Sequence, residues 1–174
     1  MQFFKRQIGF YFLVAACILP FCISAAAQSD AKPEVLTDAA LSKVVPASFY
    51  FAGQSAATQM RNAAAAKIGK DRFVLAGLVD TSGYSTEISG KYEGFFITDS
   101  QVTVGNKTLG TGAYGFGFSA NGMMNIFDLS SKQILSIATV NDADMKRPRP
   151  LMMVIEAKGI RLYKGKTYVV ISAK

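Results

Sequence analysis

From Ser48 onward, apolar and polar positions alternate in short runs, and residues that turn a backbone break the runs. A period of two over four to eight residues is the signature of a half-buried strand. The pattern predicts strands over Ser48–Ala52, Arg72–Asp80, Tyr92–Thr98, Gln101–Val104, Ala113–Ser119, Met123–Leu129, Gln133–Val140, Leu151–Ala157, Ile160–Tyr163 and Thr167–Ser172. The breaks have a turn chemistry of their own. Gly105-Asn106-Lys107 and Asn121-Gly122 tolerate positive φ, and Ser130-Ser131-Lys132, Lys158-Gly159 and Lys164-Gly165-Lys166 serve similarly. Many short strands joined by tight turns imply a mainly β, antiparallel sandwich or barrel with at most one or two short helices.

Two segments depart from that rhythm. Residues 55–68 include Ala56, Ala57 and Ala63 to Ala66, with Ser55 before them and Gly69 after. Alanine is the best helix former, so a short helix capped at Ser55 and stopped at Gly69 is expected. A strand alternating Thr58, Met60, Asn62 and Ala64 with Gln59, Arg61 and Ala63 is the competing pattern. Residues 28–45 read as a spacer, with one or two helical turns over Leu36–Lys43, Thr37 or Asp38 as cap and Pro46 as stop. Residues 46–174 then form a single β-rich domain.

The first 27 residues read as a signal peptide. Lys5 and Arg6 precede an apolar run from Ile8 to Ser24, and Ala25-Ala26-Ala27 fits a small-residue cleavage site. The run contains Pro20 and is shorter than the ~20 apolar residues of a spanning helix. Cys22 follows Leu19-Pro20-Phe21, without the small residues expected before a lipidated cysteine. The expectation is export, to the periplasm or the medium, after cleavage near Ala27. Cleavage removes Cys17 and Cys22, leaving a mature chain without cysteine, histidine or tryptophan.

That composition narrows the chemistry. Serine–histidine and cysteine–histidine nucleophiles are absent, as are thiolate and imidazole metal sites. The only Ser-x-x-Lys, Ser29 to Lys32, lies in the spacer. A carboxylate pair such as Asp80 with Glu93 is the remaining route to a hydrolase. Asn141-Asp142-Ala143-Asp144 lacks the further oxygen ligands of a calcium loop, because Met145 and Lys146 follow. Asn106-Lys107-Thr108 is a glycosylation sequon in a turn where asparagine is expected anyway. No catalytic residue, cofactor or metal is expected.

Gly110-Thr111-Gly112-Ala113-Tyr114-Gly115 matches the dinucleotide fingerprint, but a strand pattern follows it where that site needs a helix N-terminus. In a strand, Tyr114, Phe116 and Phe118 share one face, and Ala113, Gly115 and Gly117 share the other. The aromatic face is expected in the core. The small face is expected to receive a close neighbour, as strand glycines often do. The run Leu109 to Phe116 resembles the Leu-Pro-Ala-Gly-x-Tyr strand opening of secreted bacterial β-domains of unknown function, with Gly110 where proline is usual. The resemblance spans about ten residues. It implies an exported β-domain and carries over no functional residues.

Charge is the last informative feature. The chain carries +7. Residues 28–140 balance nine basic against nine acidic side chains, whereas residues 141–174 hold eight basic and three acidic. Lys146, Arg147, Arg149, Arg161, Lys164 and Lys166 form the candidate anion- or partner-binding set. Lys146-Arg147-Pro148-Arg149-Pro150 is read as a stiff, extended segment held off the sheet. A separate loop, with Asp80, Ser82, Tyr84 and Ser85, is a candidate contact for a polar ligand, against the plainer reading of a self-bonded turn.

The function expected is a non-enzymatic envelope or secreted module that contacts an anionic surface or another protein, with peripheral membrane contact and no nucleic acid. Edge protection by solvated charge is the plain alternative for the basic residues. A lipocalin-like carrier of a small apolar ligand, using Tyr114, Phe116, Phe118, Met123 and Met124 around a closed barrel, is the second reading.

Overall fold

A computed structural model of the chain describes residues 32–173. The leader and residues 28–31 lie outside the described residues. The elements run in the order β1 (Glu34–Val35), α1 (Asp38–Val44), β2 (Ser48–Phe51), β3 (Gln54–Gly69), β4 (Arg72–Val79), α2 (Thr86–Ser89), β5 (Gly94–Thr98), β6 (Val102–Val104), β7 (Lys107–Leu109), β8 (Gly112–Ser119), β9 (Met123–Phe127), β10 (Gln133–Ala138), β11 (Val140–Asn141), β12 (Arg149–Glu156), β13 (Gly159–Gly165) and β14 (Thr167–Ala173). All strand pairings are antiparallel.

Two sheets result. The eight-stranded sheet has the order β1-β3-β4-β5-β8-β9-β10, with β2 paired to β3; the six-stranded sheet has the order β12-β13-β14-β6-β7, with β11 paired to β14. Among the described residues the sheets do not close into a barrel. The space between them is filled. Val74, Ala76, Phe96, Phe116, Met124 and Ile126 of the larger sheet meet Leu151, Ile160, Leu162, Val169 and Ile171 of the smaller one. Burying one such side chain contributes about 1.5–3 kcal/mol. Among the described residues, no closed barrel surrounds Tyr114, Phe116, Phe118, Met123 and Met124 as the carrier reading expected.

The larger sheet is also covered on its outer face, which makes the molecule three layers deep. Phe49 and Phe51 of β2, Leu41 of α1, and Tyr84 and Tyr92 near α2 pack there against Ala65, Leu75, Val79, Phe95 and Phe127. Phe51 stacks on Tyr92 with ring centroids 3.9 Å apart, and Phe49 stacks on Phe95 at 5.2 Å. The glycine face of β8 makes this possible. A side chain at Gly115 would overlap the Phe51 ring, and one at Gly117 would overlap the Lys91 carbonyl. The expected close neighbours are thus an aromatic ring and a backbone, while Phe116 on the opposite face is fully buried between the sheets.

Residues 55–68 are strand, not helix. They lie within the 16-residue β3. Its second half is central, paired to β1 on one side and β4 on the other. Ala64 and Ala66 face the six-stranded sheet and Ala65 faces the outer layer. Alanine is required there by close cover on both faces, and this packing overrides its helical preference. A register break between Thr58 and Ala63 bends the strand. The first half of β3 and β2 thereby lie over the outer face, where the Ala52 amide donates to the Leu129 carbonyl at 2.9 Å.

Three further expectations change. Residues 34–45 of the spacer are part of the fold, because β1 extends the sheet and α1 buries Leu41. The strand expected over Gln133–Val140 divides at Thr139: β10 pairs with β9, whereas β11 crosses to the other sheet and pairs with β14. Arg149 and Pro150 open β12 instead of standing off the sheet.

Candidate functional site

Strand alternation carries Ile160, Leu162 and Lys164 onto the core-facing side of β13. The first two are buried in the core, and Lys164 emerges where the strand reaches its turn. Gly165, at φ +61°, and Lys166 make the two-residue hairpin connection to β14. On the facing sheet, alternation does the same to Phe118, the last aromatic of β8, and to Leu78 near the end of β4. Both are half-buried there. The sheets therefore part at this end, and a groove of about 610 Å³ opens between them.

Leu78 and Phe118 line one side of the groove, and Pro148, Arg149 and Pro150 line the other. Lys164, Gly165 and Thr167 close it from below. The Lys164 ammonium lies 5.8 Å from the centre of the Phe118 ring. It is ion-paired with Glu93, whose other carboxylate oxygen accepts the Phe118 amide at 2.8 Å. Glu93 precedes β5, so this pair ties the two sheets together beside the groove. Its side chains keep 28% and 31% exposure, so water screens the attraction.

The structure divides the six candidate cations. Arg149 stands opposite Gly165 in register, and the Asp142 amide donates to the Lys166 carbonyl at 2.8 Å, so the loop that carries Lys146 and Arg147 begins and ends at the hairpin that holds Lys164 and Lys166. Lys146, Arg147, Arg149 and Lys166 are exposed. Among the described residues, none of these four has a carboxylate within ion-pair distance. Lys164 belongs to the same end but is matched by Glu93.

Arg161 is elsewhere. It lies on the outer face of the six-stranded sheet, with its guanidinium 4.5 Å from the centre of the Tyr168 ring. It lies 3.5 Å from Glu156 and 3.9 Å from Asp142, and donates to the Tyr163 hydroxyl at 3.1 Å. Tyr163 in turn donates to Asp142 at 2.8 Å. Burial pushes the Tyr163 phenol above its ordinary range, and the Tyr163 hydroxyl raises that of the guanidinium. Asp142 is thereby engaged in holding its loop to the sheet, and one of its oxygens also accepts the Asp144 amide at 3.1 Å. Among the described residues no three acidic side chains gather as a metal site.

The loop of Asp80, Ser82, Tyr84 and Ser85 is organised from within. Asp80 accepts the Ser82 amide at 3.0 Å, and this bond, with the Ser82 hydroxyl, holds its carboxyl below the usual range. Tyr84 is buried in the outer aromatic layer and donates to the Gln54 carbonyl at 3.2 Å. Ser85 precedes α2, where its carbonyl accepts the amides of Ile88 and Ser89. The glycine-rich fingerprint is likewise strand from Gly112, and the Tyr114 hydroxyl donates to the Gly110 carbonyl at 3.0 Å.

Leu78, Thr167 and the pairing of Glu93 with Lys164 are the parts of the site that the sequence reading missed. Lys164 itself was in the candidate set, and its alternation with Ile160 and Leu162 was the available signal for its core-facing side. No protein-family model, curated protein or solved structure matches this chain.

Proposed function

We propose that this chain is an exported, non-enzymatic β-domain that binds an anionic surface through the groove end of its six-stranded sheet. The observation that carries the reading is the clustering of Lys146, Arg147, Arg149 and Lys166, none of which has a carboxylate within ion-pair distance among the described residues. Solvated edge charge would serve equally well if scattered, whereas four cations at one end sum to a directed field. Each cation close to an anionic membrane contributes about 1 kcal/mol, within a Debye length of about 8–10 Å.

Co-sedimentation with phosphatidylglycerol vesicles tests it, with phosphatidylcholine vesicles as control. Residues 28–174 are expected to bind the anionic vesicles alone and to lose binding as salt rises. Replacing Lys146, Arg147 and Arg149 by glutamine is expected to weaken binding by about two orders of magnitude. Unchanged binding by that variant would overturn the reading.

A further inference from the structure

We propose that the groove between Phe118 and the Pro148–Pro150 segment binds a single-chain anionic amphiphile, with its chain on Phe118 and Leu78 and its head group on Arg149. This rests on the surface reading above and gives that same end of the sheet a specific ligand class.

The volume is suitable. A groove of about 610 Å³ falls within the roughly 300–1,000 Å³ of small-molecule sites. Its chemistry is that of such sites, mostly apolar walls with a few polar groups at one side. Leu78 and Phe118 belong to the inter-sheet packing but remain half-exposed where the sheets part. Pro148 and Pro150 present apolar rings and no amide donors of their own, so the facing wall offers a chain apolar contact.

Charge then selects the head group. Lys164 is the cation nearest the Phe118 ring, and Glu93 balances it. Arg149 lines the same groove with no carboxylate within ion-pair distance among the described residues. A guanidinium presents a planar fork of donors that fits a carboxylate or phosphate in a bidentate manner. A neutral apolar molecule would leave that fork unused. A free inorganic anion would leave the apolar wall uncovered. An amphiphile with an anionic head and one chain uses both.

Dodecyl phosphate below its micelle concentration is the probe, followed by amide shifts in residues 28–174. The largest shifts are expected at Phe118, Ser119, Arg149, Gly165 and Thr167. Arg149→Gln is expected to weaken binding at least tenfold. Ala120→Trp, at an exposed residue on the groove wall, is expected to abolish amphiphile binding while all four cations, and with them the salt dependence of vesicle binding, are retained. Equal affinity for inorganic phosphate would overturn the proposal, because the chain would then contribute nothing. So would shifts centred on the exposed apolar residues Tyr50, Leu129 and Ile134, which would mark detergent-like adsorption. Loss of groove shifts with vesicle binding retained would refute the groove alone; loss of both would refute the surface reading as well.

Discussion

Arg149 and Arg161 sit on adjacent strands of one sheet, in the same basic stretch of sequence, and their surroundings are opposite. Arg161 is enclosed by Asp142, Glu156, Tyr163 and Tyr168 on the outer face. Arg149 stands at the rim of a groove with no carboxylate partner among the described residues. Lys164 shows a third condition, facing the groove but matched by Glu93. A net excess of positive charge therefore mixes two populations. One holds the fold together, and the other is available to a partner. Only the second contributes to the proposed function, so counting charges overstates the binding surface.

The widest separation between the two populations should come from exchanging their losses. Neutralising Lys146, Arg147 and Arg149 should cost about two orders of magnitude in vesicle affinity while shifting unfolding free energy by less than about 0.5 kcal/mol. Arg161→Gln should do the reverse, lowering the thermal midpoint while vesicle affinity stays within twofold. Parallel losses in both variants would erase the distinction.

Glu93→Gln should convert a structural cation into an available one. Freed from its carboxylate, Lys164 adds a charge beside the groove, and vesicle affinity should rise about fivefold. The same change should lower unfolding free energy by about 1 kcal/mol, because the half-exposed pair no longer ties the sheets. A fall in affinity would show that the clamp shapes the binding surface instead of masking a charge.

Tyr163→Phe should leave vesicle affinity unchanged and lower unfolding free energy by about 1 kcal/mol, from the hydrogen bonds to Asp142 and from Arg161. It should also change the alkaline limb of stability. Burial raises the Tyr163 phenol, so the folded protein keeps a proton that the unfolded chain releases near pH 10. Stability attributable to this group is full below that pH and falls as pH rises through the raised folded value. Denaturation between pH 9 and 11 should therefore show a shallower decline in the phenylalanine variant; an identical slope would remove Tyr163 as a contributor. Tyr92 retains a decline of the same sign, since its fully buried phenol is pushed far up by burial.

Much of the site was readable in part. The alternation of Tyr114, Phe116 and Phe118 placed Phe118 on the core-facing side, and the prolines around Arg149 marked an extended segment. Local alternation does not reveal where two sheets part, so the groove was not legible. Nor were the partners of the cations. Glu93 is 71 residues from Lys164 along the chain. For Arg161, Glu156 lies nearby in the same hairpin, but Asp142 reaches it only because β11 has crossed to the second sheet.

A mainly β fold of short antiparallel strands follows from the order of residues alone, because a period of two and turn-forming residues are properties of neighbours along the chain. The two faces of β8 follow for the same reason. Tertiary structure decided that alanine-rich β3 is a strand, since both of its faces are covered by elements distant in sequence. It decided that the chain changes sheets at Thr139, and that the aromatic layer fills the glycine face. It also decided which cations are matched, because a counterion is selected by proximity in space, and folding alone brings Glu93 to Lys164 while leaving Arg149 at the open rim.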